Sequence, residues 1–348
     1  MNNKILDRYN HINYVKIIDY KNTNLTQFHQ RILDILKQLN LRPNNGILQK
    51  IKDPTKALYS DIIEDFRNKK FYLKVIPTLD PLMKNIIENN VLLGYAISKQ
   101  NNEKLVAHFP KLISHGEDYI LHEFKESQVA GIKKGPIYSV NLTSSDLLHV
   151  FDLIKSVWDF DTKHLEKLSK LGWEFFTFWL TEYDKEQLEI NKLQSYIPPE
   201  IINFAIKLTR NIQVEKMIES EAKHLSHGDL NITNIIKATN DNYWLIDWDM
   251  CNISSKYQDF ARLHNSLEAS PEVQSELLDI GNRLAQNKEH TLMYLWLFSE
   301  TLHRMLESAS NLRKKDSSVE EKQIYTSLLK NKINFIQSLY RELTHLNI

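Results

Sequence analysis

Two short strings constrain this chain more than anything else in it: His-Gly-Asp-Leu-Asn-Ile-Thr-Asn at 227–234, and Leu-Ile-Asp-Trp-Asp at 245–249. The first asks for a tight turn, freed by Gly228, with a carboxylate at its tip; the second asks for an apolar strand that ends in another carboxylate. Asp229, Asn234 and Asp247 are the residue types that phosphoryl transfer from ATP needs at one point. One carboxylate orients and deprotonates an attacking hydroxyl, while an amide oxygen and a second carboxylate hold Mg²⁺. A short loop from Asp229 to Asn234 presents both side chains together, and the strand delivers Asp247 from the other side. Singly, Asp and Asn are common turn residues. Turn preference alone does not account for the whole string.

The 348 residues suffice for two cores, and 44 basic residues balance 44 acidic ones. Balanced charge argues for no nucleic acid and no membrane as partner, because both are recognised through an excess of positive charge. The single cysteine, Cys251, excludes an internal disulfide and a cysteine-based zinc cluster and reads as a small buried hydrophobe. No apolar stretch of signal-peptide length opens the chain, and the runs at 175–180 and 293–298 are too short to span a bilayer, so a cytoplasmic protein is expected.

Along the chain, a strand is predicted at Tyr14–Ile18 and a helix from Thr26 to about Leu39, with Phe28, Ile32, Ile35 and Leu36 on one face. Three β-rich runs follow, Gly46–Ile51, Leu58–Phe66 and Phe71–Ile76, joined by hairpin turns of an antiparallel sheet. Asp80 before Pro81 starts a helix that runs to about Lys99, and Leu112–Ser114 and Asp118–Glu126 supply two more strands. From Thr143 the pattern is helical over 144–157, 164–181, 200–221, 258–267, 272–287, 290–309 and 317–345, interrupted by strands only near Leu225 and at Tyr243–Asp247. Strands first and helices second give an α+β, two-lobed arrangement. The division predicted is residues 1–124 for a nucleotide-binding lobe and 125–348 for a helical catalytic and substrate lobe. A hinge or mobile insert is expected at Val129–Pro136, rich in glycine and proline.

This layout resembles the aminoglycoside phosphotransferase and choline kinase superfamily, which includes homoserine-kinase-like and spore-coat kinase-like proteins and has the bilobal protein-kinase-like fold. The resemblance spans roughly Gly46 to His303 and is most specific between 224 and 263. It implies ATP and Mg²⁺ as cofactors, Asp229 as catalytic base, and Asn234 and Asp247 as metal ligands. His227 is expected to hydrogen-bond the loop backbone. Asp259, in Tyr-Gln-Asp-Phe-Ala-Arg-Leu, is similar to a family residue that caps the next helix and braces the loop. Asp249 reaches metal or substrate if the strand continues past Asp247; the alternative is a solvated turn carboxylate. Lys74, in Phe-Tyr-Leu-Lys-Val, resembles the family's phosphate-binding strand lysine, against the plainer reading of an exposed lysine on an edge strand. Its expected partner is Glu88 on the following helix. Thr55 and the backbone around it would cover the phosphates, and adenine would dock on backbone groups near Glu123. The turn Ile51–Tyr59 departs from the family pattern in having no glycine.

The implied activity is transfer of the γ-phosphate to a hydroxyl of a small molecule, with the aminoglycoside, choline, sugar and amino-alcohol classes unresolved. A protein kinase is disfavoured, because His-Gly-Asp lacks that family's arginine and Asp247 to Asp259 leaves no room for a long activation segment. The alternative is a catalytically weak kinase-fold binding or structural protein of the spore-coat kinase-like type. Trp173, Phe176, Trp179 and Tyr183, and likewise Trp296, Glu300, His303 and Arg304, form helical stripes that read either as core packing or as a partial substrate wall.

Overall fold

The computed structural model describes residues 25–42, 59–77, 81–99, 108–124, 127–134, 137–173, 176–177, 196–238, 242–312, 318–346 and 348. Tyr14–Ile18, Gly46–Ile51, Thr55, Asp80, Trp179 and Tyr183 lie outside them. The chain divides into two compact units, Met1–Glu126 and Ser127–Ile348.

In the first unit, helix α1 (Leu25–Gln38) precedes strands β1 (Tyr59–Glu64) and β2 (Lys70–Val75), helix α2 (Pro81–Lys99), and strands β3 (Leu112–His115) and β4 (Tyr119–Glu123). The strands form an antiparallel sheet in the order β1-β2-β4-β3. Alternation along β2 sends Phe71, Leu73 and Val75 to one face, where they meet Phe28, Ile32, Ile35 and Leu36 of α1. Burying such a side chain contributes roughly 2 kcal/mol. The opposite face carries Ile120, which packs with Ile86 and Ile87 of α2. The β1–β2 turn closes on Asp65, whose carboxylate accepts from the amides of Arg67 and Lys69, and Asn68 takes the positive φ that the turn needs.

The second unit starts with β5 (Ser127–Val129), β6 (Gly131–Lys134) and β7 (Ile137–Val140). The expected hinge at Val129–Pro136 is instead largely sheet: β6 and β7 pair antiparallel, and Ala130 donates to Ile235 O at 2.8 Å. Next come α3 (Ser144–Trp158), α4 (Pro199–Leu208), α5 (Ile212–Glu221), β8 (His224–Ser226), β9 (Ile235–Ala238), β10 (Tyr243–Leu245) and β11 (Asn252–Ser254). Helices α6 (Lys256–Ser266), α7 (Pro271–Leu284), α8 (Lys288–Leu312) and α9 (Val319–His345) complete the unit. The continuous helix expected over 200–221 is two, because the Asn211 side chain accepts from the amides of Gln213 and Val214 and starts α5 afresh. Strand content also exceeds the expectation: β9 pairs with both β10 and β5, and β11 pairs with β8. The unexpected β5, β9 and β11 are only three or four residues long, too short to print an alternating pattern on the sequence. Among the described residues no helix is long and apolar enough to cross a membrane.

Candidate active site

The loop that follows β8 is built around a buried carboxylate. Asp259, on α6, accepts from the backbone amides of His227 at 2.7 Å and Gly228 at 3.0 Å, and from Ser226 Oγ at 3.0 Å. Burial pushes its carboxyl above the usual range, and these donors pull the other way. Asp259 does not cap α6. Ser255 does, its hydroxyl accepting from the Tyr257 amide, and Asp259 lies in the first turn where its side chain faces the loop. Gly228 has φ +78°, and a Cβ there would run into the Met250 carbonyl.

His227 is buried against Trp248, their ring centroids 4.5 Å apart. Its Nε2 donates to Ile246 O at 2.8 Å, and Nδ1 faces the Asp229 amide at 3.4 Å. A carbonyl can only accept, so the ring carries its proton on Nε2. Ile246 is held from the other side as well, its amide donating to Asn234 O at 3.0 Å. The backbone then turns sharply: Asp247 adopts φ 67°, ψ 56°, in the left-handed region, with an exposed side chain. The strand has already ended at Leu245, two residues short of the expected Asp247. Trp248–Met250 form a 3₁₀ turn, so Asp249 does not follow Asp247 by strand alternation onto the same side.

Asn234 is buried, and its amide nitrogen donates to the Asp229 carbonyl at 2.8 Å, 3.5 Å from Asp229 Oδ2. With the nitrogen engaged, the amide oxygen is the atom left to serve as a ligand. Asn234 thus touches Asp229 directly, and its main-chain carbonyl holds the residue before Asp247. Among the described residues no group of three or more His, Cys, Asp or Glu is arranged to hold a metal.

Sequence reasoning passed over Arg262. Its Nε lies 3.1 Å from Asp229 Oδ1 and its Nη1 3.8 Å from Glu300 Oε1 on α8. Burial works against the guanidinium charge, and Glu300 and Asp229 outweigh it, so its pKa is raised. Burial likewise opposes ionisation of Glu300, yet Arg262 first, then His303 and Arg304, hold its carboxyl below the usual range. The signal was present: Arg262 stands three residues after Asp259, hence on the same face of one helix.

In the first unit, Lys74 is buried on the central strand β2, opposite Ile120 of β4, which excludes the exposed edge-strand reading. Its Nζ lies 5.8 Å from the Tyr72 ring centroid. The expected pairing with Glu88 is absent: Glu88 is exposed, because α2 turns Ile86, Ile87 and Asn90 inward. Glu123 ends β4, and its amide is already engaged with Lys111 O at 2.8 Å. Of the aromatic stripes, Phe176 and Trp296 are fully buried and meet edge to face at 5.4 Å, with Trp173 stacked on Phe176. They pack the helical core.

No family model and no curated protein matches the sequence. Solved structures do match by fold. An ethanolamine kinase from Plasmodium vivax aligns with a TM-score of 0.52 at 13% identity over 94% of this chain and 99% of its own. A macrolide 2'-phosphotransferase type I gives 0.53 at 8% identity over 86% and 96%. A choline kinase from Streptococcus pneumoniae gives 0.51 at 11% over 88% and 98%. The chain therefore has the fold of these small-molecule kinases and phosphotransferases, an α+β, protein-kinase-like one.

Proposed function

We propose that this chain is an ATP- and Mg²⁺-dependent phosphotransferase that moves the γ-phosphate to a hydroxyl of a small molecule in the cytoplasm. The observation that carries this reading is the loop cluster of Asp229, Asn234 and Asp247, tied together through Asn234 Nδ2 and Ile246. The small-molecule acceptor is supported by the fold neighbours, named as an ethanolamine kinase, a choline kinase and a macrolide 2'-phosphotransferase.

The donor set suits Mg²⁺. That ion takes one or two side-chain ligands and completes its shell with water and substrate phosphates, and one amide oxygen with one carboxylate is such a set. Bound there with ATP, it would neutralise the phosphate charge that builds up during transfer. Asp229 would accept the proton of the attacking hydroxyl and hold that oxygen in line. Asn234 and Asp247 would hold the metal, Asp259 would fix the loop through its amides, and Lys74 would bind phosphate as a compact charge.

The glycine-free turn Ile51–Tyr59 favours a second reading, a kinase-fold binding protein with little turnover, since backbone amides approach phosphates best where side chains are absent. Thermal unfolding with and without Mg-ATP, on wild type and Asp247→Ala, separates the two. A ligand that binds only the folded state must raise its stability. A rise in wild type that vanishes in the variant supports the enzyme, and no rise at millimolar Mg-ATP removes it.

A further inference from the structure

The loop carries an anchor that the roles above do not use. Asp229, Arg262 and Glu300 come from three different elements of the second unit and meet in sequence: Asp229 Oδ1 to Arg262 Nε at 3.1 Å, then Arg262 Nη1 to Glu300 Oε1 at 3.8 Å. His303 Nδ1 flanks Glu300 Oε2 at 3.7 Å. The Glu300 side chain is 2% exposed. A carboxylate buried that deeply persists where it offsets another buried charge, and Arg262 is that charge. The two oxygens of Asp229 are consequently unlike: Oδ1 is gripped by a cation, and Oδ2 has a 3.5 Å contact with Asn234 Nδ2.

We propose that Glu300 is a positioning residue for the transfer: it fixes the Arg262 guanidinium, which in turn fixes Asp229 with Oδ1 engaged and Oδ2 turned to the acceptor hydroxyl. This rests on the reading of Asp229 as the base. With water as the acceptor, its oxygen bonds to the γ-phosphorus and its proton passes to Asp229 Oδ2. The bond from phosphorus to the bridging oxygen breaks, its electron pair leaves on ADP, and Asp229 returns the proton to solvent. Arg262 keeps its protons throughout. Displacing a reacting group by about 1 Å costs on the order of 100-fold in rate, so an anchor two residues removed from the substrate matters for turnover while leaving nucleotide binding alone.

The test is ADP release from Mg-ATP with water as acceptor, together with the Mg-ATP-induced rise in unfolding temperature. Wild type, Asp229→Asn, Arg262→Gln, Arg262→Lys, Glu300→Gln and the double variant Arg262→Gln/Glu300→Gln are compared. All should keep the thermal rise and a KM for ATP within about 2-fold of wild type, while kcat falls about 10-fold in Glu300→Gln and about 100-fold in Arg262→Gln. The double variant should be no slower than Arg262→Gln, because Glu300 then has nothing to act through. Arg262→Lys should not restore the rate, since a point charge cannot span both carboxylates. Unchanged kcat in Glu300→Gln, losses that multiply in the double variant, or a wild type that binds Mg-ATP yet releases no more ADP than Asp229→Asn would each overturn the proposal. Absence of the thermal rise in wild type instead removes the functional reading itself, and this inference falls with it.

Discussion

Gly228 meets two separate demands: its φ of +78° belongs to the left-handed region, and the space where a Cβ would sit is taken by the Met250 carbonyl. Gly228→Ala should therefore lose about 3 kcal/mol of stability in urea unfolding, from strain and backbone displacement together. A loss under about 0.5 kcal/mol, the range of ordinary surface changes, would mean that the turn is looser than drawn. Asp247 has a comparable φ, 67°, without being glycine. Its conformation is one that a side chain disfavours, and it places the expected metal ligand. Two variants isolate that strain, since both delete the carboxylate: Asp247→Gly should be about 1 kcal/mol more stable than Asp247→Ala, and neither should respond to Mg-ATP. Equal stabilities would show no strain at this position. At this scale the sequence was most legible where chemistry dictates residue type. The His-Gly-Asp turn announces itself, whereas Arg262 has no special residue type and is seen only when α6 is wound and its face compared with that of Asp259.

The proposed metal ligands Asn234 and Asp247 flank the β9–β10 ladder, so their placement depends on how that ladder is held. Lys237 and Tyr243 are direct cross-strand partners, and both donate to Asp146 at the start of α3, Lys237 at 2.8 Å and Tyr243 through its hydroxyl. Asp146 also closes a capping box with Thr143. Burial pushes its carboxyl up, but Lys237, Tyr243 and Thr143 outweigh it and hold it well below the usual range. An unfolded Asp titrates near 3.9, so the stability contributed by Asp146 is fully present above about pH 5 and is lost as pH falls through 3.9 towards the folded value. Asp146→Asn should cost about 2–3 kcal/mol at pH 7, and the gap to wild type should narrow below about pH 4. Urea midpoints at pH 7 and pH 3 give the comparison; a gap independent of pH would place the loss in packing. Long elements were read well from periodicity, α3 and α6–α9 especially. The break between α4 and α5 was missed because apolar spacing continues across it, although Asn211 is a cap residue in plain view. Of the short strands, β8 and β10 were read near Leu225 and Tyr243, whereas β5, β6, β7, β9 and β11 were missed because three or four residues carry too little pattern, and β5 and β11 pair with strands far away in the chain.

Identities of 8–13% beside near-complete coverage say that this fold is specified by patterning far more than by particular residues. What the sequence makes legible across the whole chain is accordingly the order of strands and helices and the loop chemistry, not the contacts that fasten helices to each other. The C-terminal helix α9 illustrates the difference. Its Ile336, Leu339 and Leu343 are buried as periodicity requires, but so is Lys332, whose ammonium meets Glu268 at 2.5 Å and Asn265 Oδ1 at 3.2 Å. Beside it, burial and then the Lys332 charge push His264 down to about 3, so its ring stays neutral as it stacks on Phe335. A lysine on an amphipathic helix reads as solvent-facing, and nothing local reveals that Glu268, two residues past the end of α6, will cover it. Such a pair confers little net stability, because desolvation of two charges nearly cancels their attraction, whereas removing one partner strands the other. Lys332→Met should thus lose about 3–5 kcal/mol. The double variant Lys332→Met/Glu268→Leu should recover to within about 1 kcal/mol of wild type, with the Mg-ATP response unchanged in both. If the double variant is no more stable than the single, the pair contributes more than its desolvation removes, and α9 is attached to the unit by charge as well as by its apolar face.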